Sequence, residues 1–233
     1  LCYADSYLRH FSATVVGVTP KEVVLDRSAF YPGGGGQPSD KGILTAGETE
    51  YAVGEISRSD GQIVHELGAG VLPVSTEVQG AIYWDRRYQL MRTHTALHIL
   101  WGVAWRDLRA YVTGGDMKPL SARMDFELEE MSADFATEVE ALVNKEVDAR
   151  HPVEIQTLPR EEAFQIPDLI RTKINLLPEA IREVRTVDIV GLDMQADGGT
   201  HVANTDEVGA VRVVGHESKG RINKRLKIAL EER

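Results

Sequence analysis

The sequence predicts an α+β protein, a helix-poor β part over residues 1–86 followed by an α/β part over residues 87–233. Three observations predict it. Short β-branched runs punctuated by turn residues fill the first part. At Asp85 the apolar spacing changes to that of a helix. Strand-like and helical segments then follow one another to the last residues. A chain of 233 residues suffices for one large domain or two modest ones. Its 42% apolar and 27% charged content is that of an ordinary globular protein, and no apolar run is long enough to span a bilayer, so no membrane partner is expected.

The elements follow in order. Residues 13–18 and 22–26 are β-branched runs joined by a turn at Pro20, the signal of a hairpin. Four glycines then stand between Pro32 and Pro38. That stretch cannot be regular structure, because its backbone is too free and donors are missing. It reads as a surface loop, or as a loop whose bare backbone lets another chain or RNA approach. It lacks the lysine and the strand–helix context of a phosphate-binding P-loop. Residues 51–56, 62–67 and 78–84 continue the strand pattern, which at this spacing suggests a small barrel or a sandwich. His65 lies in an alternating strand and reads as structural or exposed.

Asp85 can cap a helix running to about Arg109, with Leu90, Leu97, Leu100, Val103, Ala104 and Leu108 on its apolar face. Residues 121–128 alternate as a strand. Ser132 can cap a second helix over 133–150, whose many acids read as a solvated face. Residues 153–158 look like a strand and 159–164 like a short helix; Pro167 and Pro178 break the next stretch. Strands are expected at 185–190, 209–214 and 221–229. In the last, Arg221, Asn223, Arg225 and Lys227 alternate with apolar residues, so their side chains can share one sheet face.

A net charge of −10 argues against a general nucleic-acid coat protein. It leaves room for a protein that holds one folded RNA through a local basic patch, and Lys219, Arg221, Lys224, Arg225 and Lys227 form such a cluster in sequence; a solvated strand face is the alternative. The single cysteine, Cys2, excludes an internal disulfide, and the first residues show neither a basic n-region nor an apolar h-region. A reducing cytoplasm is the expected compartment.

The chemistry concentrates in His94-Thr95-Ala96-Leu97-His98. Two histidines four apart on a helix project from one face, one turn above the other. A third, His201, closes Asp197-Gly198-Gly199-Thr200-His201, in which the glycines permit a turn that aims Asp197 and His201 at one point. If the fold unites the two stretches, three imidazoles and one carboxylate make a four-ligand site, with Zn²⁺ its expected occupant. A closed four-ligand site would be structural, and an open position would serve hydrolysis; the spacing does not distinguish them.

These residues carry a resemblance. The His94–His98 motif, Gly198-Gly199-Thr200-His201-Val202 with Asn204-Thr205 and Glu207-Val208-Gly209, and Glu217-Ser218-Lys219-Gly220-Arg221-Ile222-Asn223-Lys224-Arg225 all resemble the editing domain of alanyl-tRNA synthetase. Ala29-Phe30-Tyr31-Pro32 and Gly34-Gly35-Gly36-Gln37-Pro38-Ser39-Asp40 resemble the glycine-rich module that precedes it. The motifs occur in the family's order over nearly the whole chain, as in free-standing alanyl-tRNA editing proteins of middle length.

The resemblance implies a barrel-like N-terminal domain, residues 1–86, before a two-layer α/β editing core, residues 87–233, shared with threonyl-tRNA synthetase. It implies a zinc-dependent hydrolase acting in trans on mischarged tRNA(Ala), with serine its main target and glycine a second candidate. A small alanine pocket cannot reject these by fit alone, so a second site removes the errors. The family's zinc ligands map onto His94, His98, Asp197 and His201, with Asp197 standing where the family commonly has cysteine. Thr113 matches the threonine that recognises serine, and Gln195, two before Asp197, either orients a ligand or substrate or faces solvent. The loop containing Gly34 and Gly35, and Lys219, Arg221, Asn223 and Arg225, would hold the tRNA. The rivals are a non-catalytic tRNA-binding module with a structural zinc, and a hydrolase of the same fold for another aminoacyl ester.

Overall fold

The structure, a computed structural model, describes residues 1–129, 132–169 and 181–231. The chain divides into two compact units, Leu1–Leu90 and Met91–Arg233, the division falling inside the long helix α1 (Trp84–Leu108).

The first unit is built on β1 (His10–Val18), β2 (Glu22–Leu25), β3 (Gly42–Ala46), β4 (Thr49–Ser59), β5 (Gln62–Leu67) and β6 (Glu77–Ile82). They close into an antiparallel barrel in the order β1-β2-β5-β4-β3-β6, which decides between barrel and sandwich. Closure depends on β3, which pairs with both β4 and β6. Its sequence signal is slight, because Gly42 heads it and Gly47-Glu48 ends it. Phe11, Ala13 and Val15 alternate inward from β1 with Leu44, Val53, Ile56 and Val78 from other strands. The rings of Phe11 and Phe30 meet edge to face at 5.5 Å. Gly80 is required there, since a Cβ at that position would lie 2.3 Å from the Phe11 ring.

The glycine-rich loop is irregular, as expected. Gly33 to Gly36 all have positive φ, and Gly34 and Gln37 exchange backbone hydrogen bonds of 3.0 and 2.9 Å. Its downstream stem is fastened inside the unit. Asp40 accepts from the Tyr31 N–H at 2.6 Å and from Arg87 Nε at 3.0 Å, and both charged side chains are fully buried. The Arg87 guanidinium also donates to the Ser6 and Ala29 carbonyls, at 2.8 Å each.

Among the described residues the second unit holds two sheets. β9 (Val153–Pro159), β10 (Glu183–Ile189) and β11 (Asp193–Ala196) form one, ordered β11-β10-β9. β7 (Val112–Lys118), β8 (Ser121–Glu127), β12 (Val211–Ser218) and β13 (Asn223–Leu230) form the other, ordered β12-β13-β8-β7. Among the described residues the unit's helices are the α1 segment from Met91, α2 (Ala133–Asp148), the single turn α3 (Arg160–Ala163) and a 3-10 turn, Thr205–Val208. Residues 91–100 of α1 are all buried, so this stretch is a central core helix rather than one with an apolar stripe. Gly102 admits the second unit's sheet to α1, because a Cβ there would meet the Asp193 Cβ at 2.9 Å.

Ser132 caps α2 as expected, its hydroxyl accepting from the Phe135 N–H at 3.1 Å. The acids of α2 are not all solvated, however. Glu140 accepts from the Val213 N–H at 2.7 Å, and Asn144 bonds both backbone groups of Val211, so α2 covers the open edge of β12. Two further boundaries differ from expectation. α1 begins at Trp84, so Asp85 lies in its first turn rather than capping it, and the last strand begins at Asn223, with Arg221 in the preceding turn. Pro178 lies outside the described residues. No helix among the described residues is long and apolar enough to cross a membrane.

Candidate metal centre

Two stretches about a hundred residues apart in sequence meet inside the second unit. α1 presents His94 and His98, one turn apart. β11 ends at Ala196, and the turn that follows carries Asp197 and His201. Asp197 Oδ1 lies 3.5 Å from His94 Nε2 and 3.9 Å from His98 Nε2, and Asp197 Oδ2 lies 3.1 Å from His201 Nε2. All four donor atoms fall within 4.8 Å of one another. The His94 and His201 rings stack with centroids 4.3 Å apart, and His98 meets His201 edge-on at 4.6 Å.

The turn is held by hydrogen bonds rather than by unusual glycine dihedrals. Neither Gly198 nor Gly199 has a positive φ, which corrects the expected role of glycine freedom. Gly199 instead donates its N–H to Asp197 Oδ2. Arg185 fixes the Asp197 backbone from both sides, its Nη1 donating to the Asp197 carbonyl at 2.9 Å and its own carbonyl accepting the Asp197 N–H at 3.1 Å.

The electrostatics suit a cation. Burial pushes His94 down to about 3 and His201 down to about 4, so both imidazoles are neutral near pH 7. Burial opposes the charge on Asp197, but the facing His94, His201 and His98 hold its carboxyl well below the usual range. Neutral imidazole nitrogens and an ionised carboxylate are the donor forms a metal ion binds. A tetrahedral zinc site with bonds of about 2.0–2.1 Å sets ligand atoms roughly 3.3 Å apart. The separations from Asp197, 3.1 to 3.9 Å, bracket that value. The residues present therefore fit a single divalent ion, and the set can hold one.

Comparison with known proteins places the chain in a family. The model described as "tRNA synthetases class II (A)" matches residues 6–86, and that described as "Threonyl and Alanyl tRNA synthetase second additional domain" matches residues 184–227, which include Asp197 and His201. A protein named alanyl-tRNA editing protein AlaX-M from Saccharolobus solfataricus is 40% identical over 95% of this chain and 94% of its own length. One of the same name from Methanosarcina acetivorans is 39% identical over 99% of this chain and 98% of its own. The chain belongs to the AlaX-M family of alanyl-tRNA editing proteins. It is also similar to proteins named alanine–tRNA ligase: that of Hyperthermus butylicus is 38% identical over 93% of this chain but only 24% of the ligase.

Within this AlaX-M fold the other expected residues are placed as follows. Gln195 is buried in β11 and donates to Asp193, not to the histidine cluster, so the solvent-facing alternative fails. Thr113 is exposed at a bulge of β7, outside the cluster. Gly34 and Gly35 are exposed at the tip of their loop, where the Gly34 carbonyl accepts from the Tyr31 hydroxyl at 3.0 Å.

Lys219 and Arg221 are exposed at the β12–β13 turn. Asn223 and Arg225 share one face of β13, as the alternation requires. That face is not purely basic. Arg225 is clamped by Asp125 through two bonds of 2.6 and 2.7 Å, and Lys227 lies 3.5 Å from Glu217. Lys224 departs most from a solvated patch. It is buried, and its ammonium donates to the Gly220 and Arg221 carbonyls at 2.7 and 3.0 Å.

Two residues bearing on the centre escaped the sequence reading. Arg185 looked like an ordinary strand residue. Thr95 drew no reading of its own inside the histidine motif, yet its hydroxyl lies 3.1 Å from His201 Nδ1.

Proposed function

We propose that the chain is a zinc-dependent hydrolase that deacylates mischarged tRNA(Ala), seryl-tRNA(Ala) chiefly and glycyl-tRNA(Ala) as well. One observation carries the reading: three buried imidazoles and a carboxylate converge on one point in a chain whose near-full-length relatives are named alanyl-tRNA editing proteins. His94, His98, Asp197 and His201 would hold the ion. When bound, zinc lowers the pKa of a coordinated water and polarises a neighbouring ester carbonyl. The chain's residues hold the donors in place: α1 fixes two imidazoles, and Arg185 and Gly199 fix the Asp197 turn. Gln195 braces the β11 end that presents Asp197.

On this reading residues 1–86 form the glycine-rich barrel domain and residues 87–233 the editing domain. The exposed Gly34-Gly35 tip and, separately, the exposed β12–β13 turn are the chain's tRNA-contacting elements. Lys219 and Arg221 supply the phosphate contacts there, because Arg225 is already committed to Asp125 and Lys224 to backbone carbonyls. Asn223 lines the same turn. Thr113 as the serine-recognising hydroxyl rests on the resemblance alone.

The test is deacylation of seryl-, glycyl- and alanyl-tRNA(Ala) by the parent and by His201→Ala. The proposal expects seryl ester cleaved fastest, alanyl ester spared, and His201→Ala inactive. Equal rates on a tRNA of another identity would point to a different ester. One observation favours a second reading. Asp197 completes four protein donors, the number typical of structural zinc. A non-catalytic tRNA-binding module would bind zinc and tRNA and cleave none of the three esters.

A further inference from the structure

Thr95 is fully buried on α1, between the two metal-facing histidines of that helix. Its hydroxyl stands 3.1 Å from His201 Nδ1 and accepts from the Val202 N–H at 3.3 Å. It thus bonds both the side chain of His201 and the backbone that follows. On the other side of the same ring, Nε2 faces Asp197 Oδ2 at 3.1 Å. Each ring nitrogen therefore has one partner, and the single proton of a neutral imidazole can sit on either side. With the proton on Nε2 it goes to the Asp197 carboxylate, and Nδ1 must accept. With the proton on Nδ1, Nε2 is free to present a lone pair to an ion. A carboxylate or a backbone carbonyl beside Nδ1 could serve only the second arrangement. A hydroxyl serves both, since it donates to a bare nitrogen and accepts from a protonated one.

We propose that Thr95 is a positioning residue of the metal centre, holding the His201 ring in one orientation and keeping Nδ1 bonded in whichever tautomer the ring adopts. His201 can then offer Nε2 to the ion without leaving Nδ1 unpaired in a buried site. Hydrogen-bond partners of this kind on metal-ligating histidines typically change metal affinity by about 10–100-fold. The inference rests on the reading of the cluster as a metal site.

The experiment compares the full chain with Thr95→Val and Thr95→Ser. Valine keeps the shape and deletes the hydroxyl; serine keeps the hydroxyl and deletes a methyl. Zinc affinity is measured by competition with a chromophoric chelator. The His201 ring tautomer in the metal-free protein is followed by long-range ¹H–¹⁵N NMR. Expected are a zinc affinity lowered about 10–100-fold in Thr95→Val and near the parent value in Thr95→Ser, with ring ¹⁵N shifts altered only in the valine variant. A merely structural threonine would make both variants less stable and leave zinc affinity unmoved. Zinc affinity within twofold of the parent in Thr95→Val, or equal weakening in both variants, would overturn the proposal. A parent that binds no zinc in the same titration would overturn the metal reading itself, and this inference with it.

Discussion

Each unit of the chain buries histidine and aspartate side chains, and the two sets are wired differently. In the barrel unit, Asp40 receives Arg87 and the Tyr31 N–H, and Arg87 directs its remaining donors to the Ser6 and Ala29 carbonyls. His65 has one ring nitrogen on Ser28 Oγ at 2.8 Å and the other on the Val23 carbonyl at 3.2 Å. For these side chains donors and acceptors match. In the second unit, three Nε2 atoms and a carboxylate all face inward at one another. With each neutral imidazole protonated on Nδ1, they are acceptors facing acceptors. A buried network that is satisfied internally serves structure; one whose lone pairs converge calls for a cation.

The comparison is broken most forcefully by removing charge. Asp40→Asn leaves Arg87 as an uncompensated buried cation and should cost about 3–5 kcal/mol in urea unfolding. Asp197→Asn should cost the metal-free chain clearly less and abolish the stabilisation that added zinc gives the parent. Equal losses without metal would mean the second cluster is as structural as the first.

Acid sharpens the contrast next. Burial lowers His65 to about 4 from 6.5, outweighing its bond to the Val23 carbonyl, so the folded unit needs the neutral ring. Its contribution is full above pH 6.5 and is lost as pH falls toward 4, by about 3 kcal/mol. The difference in stability between pH 7.5 and 4.5 should shrink by roughly that amount in His65→Gln; an unchanged difference would remove His65 from the account.

The smallest expected effect concerns the basic segment. Arg221→Glu should lower the salt slope of tRNA binding by about 1 while leaving stability within about 0.5 kcal/mol. Arg225→Ala should instead destabilise by about 1 kcal/mol, since it strands Asp125, and should change the slope less. Arg225 affecting the slope as strongly as Arg221 would restore it as a phosphate contact.

What was legible in the sequence was local. His94 and His98 declare themselves because helical geometry alone puts i and i+4 on one face, and Asp197 and His201 because only three residues, two of them glycine, separate them. The barrel strands announced themselves by alternation, except β3, whose place is set by pairing with β4 and β6 rather than by its five residues. The rest depends on distant partners. Thr95 gains its role from a residue 106 positions away, and Arg185 from a turn packed beside its strand. Lys224 was misread because charge suggests exposure, whereas its ammonium satisfies two carbonyls of the turn. The acids of α2 were misread for the same reason: Glu140 covers the β12 edge, and Glu146 is buried, 2.7 Å from Arg106 and 2.9 Å from His151.

The most direct test of the account is the rate of seryl-tRNA(Ala) deacylation by the purified chain after stripping with a chelator and after zinc is restored. The account predicts an activity that disappears on stripping, returns with about one zinc per chain, and does neither in His98→Ala. Undiminished cleavage by fully stripped protein would contradict it.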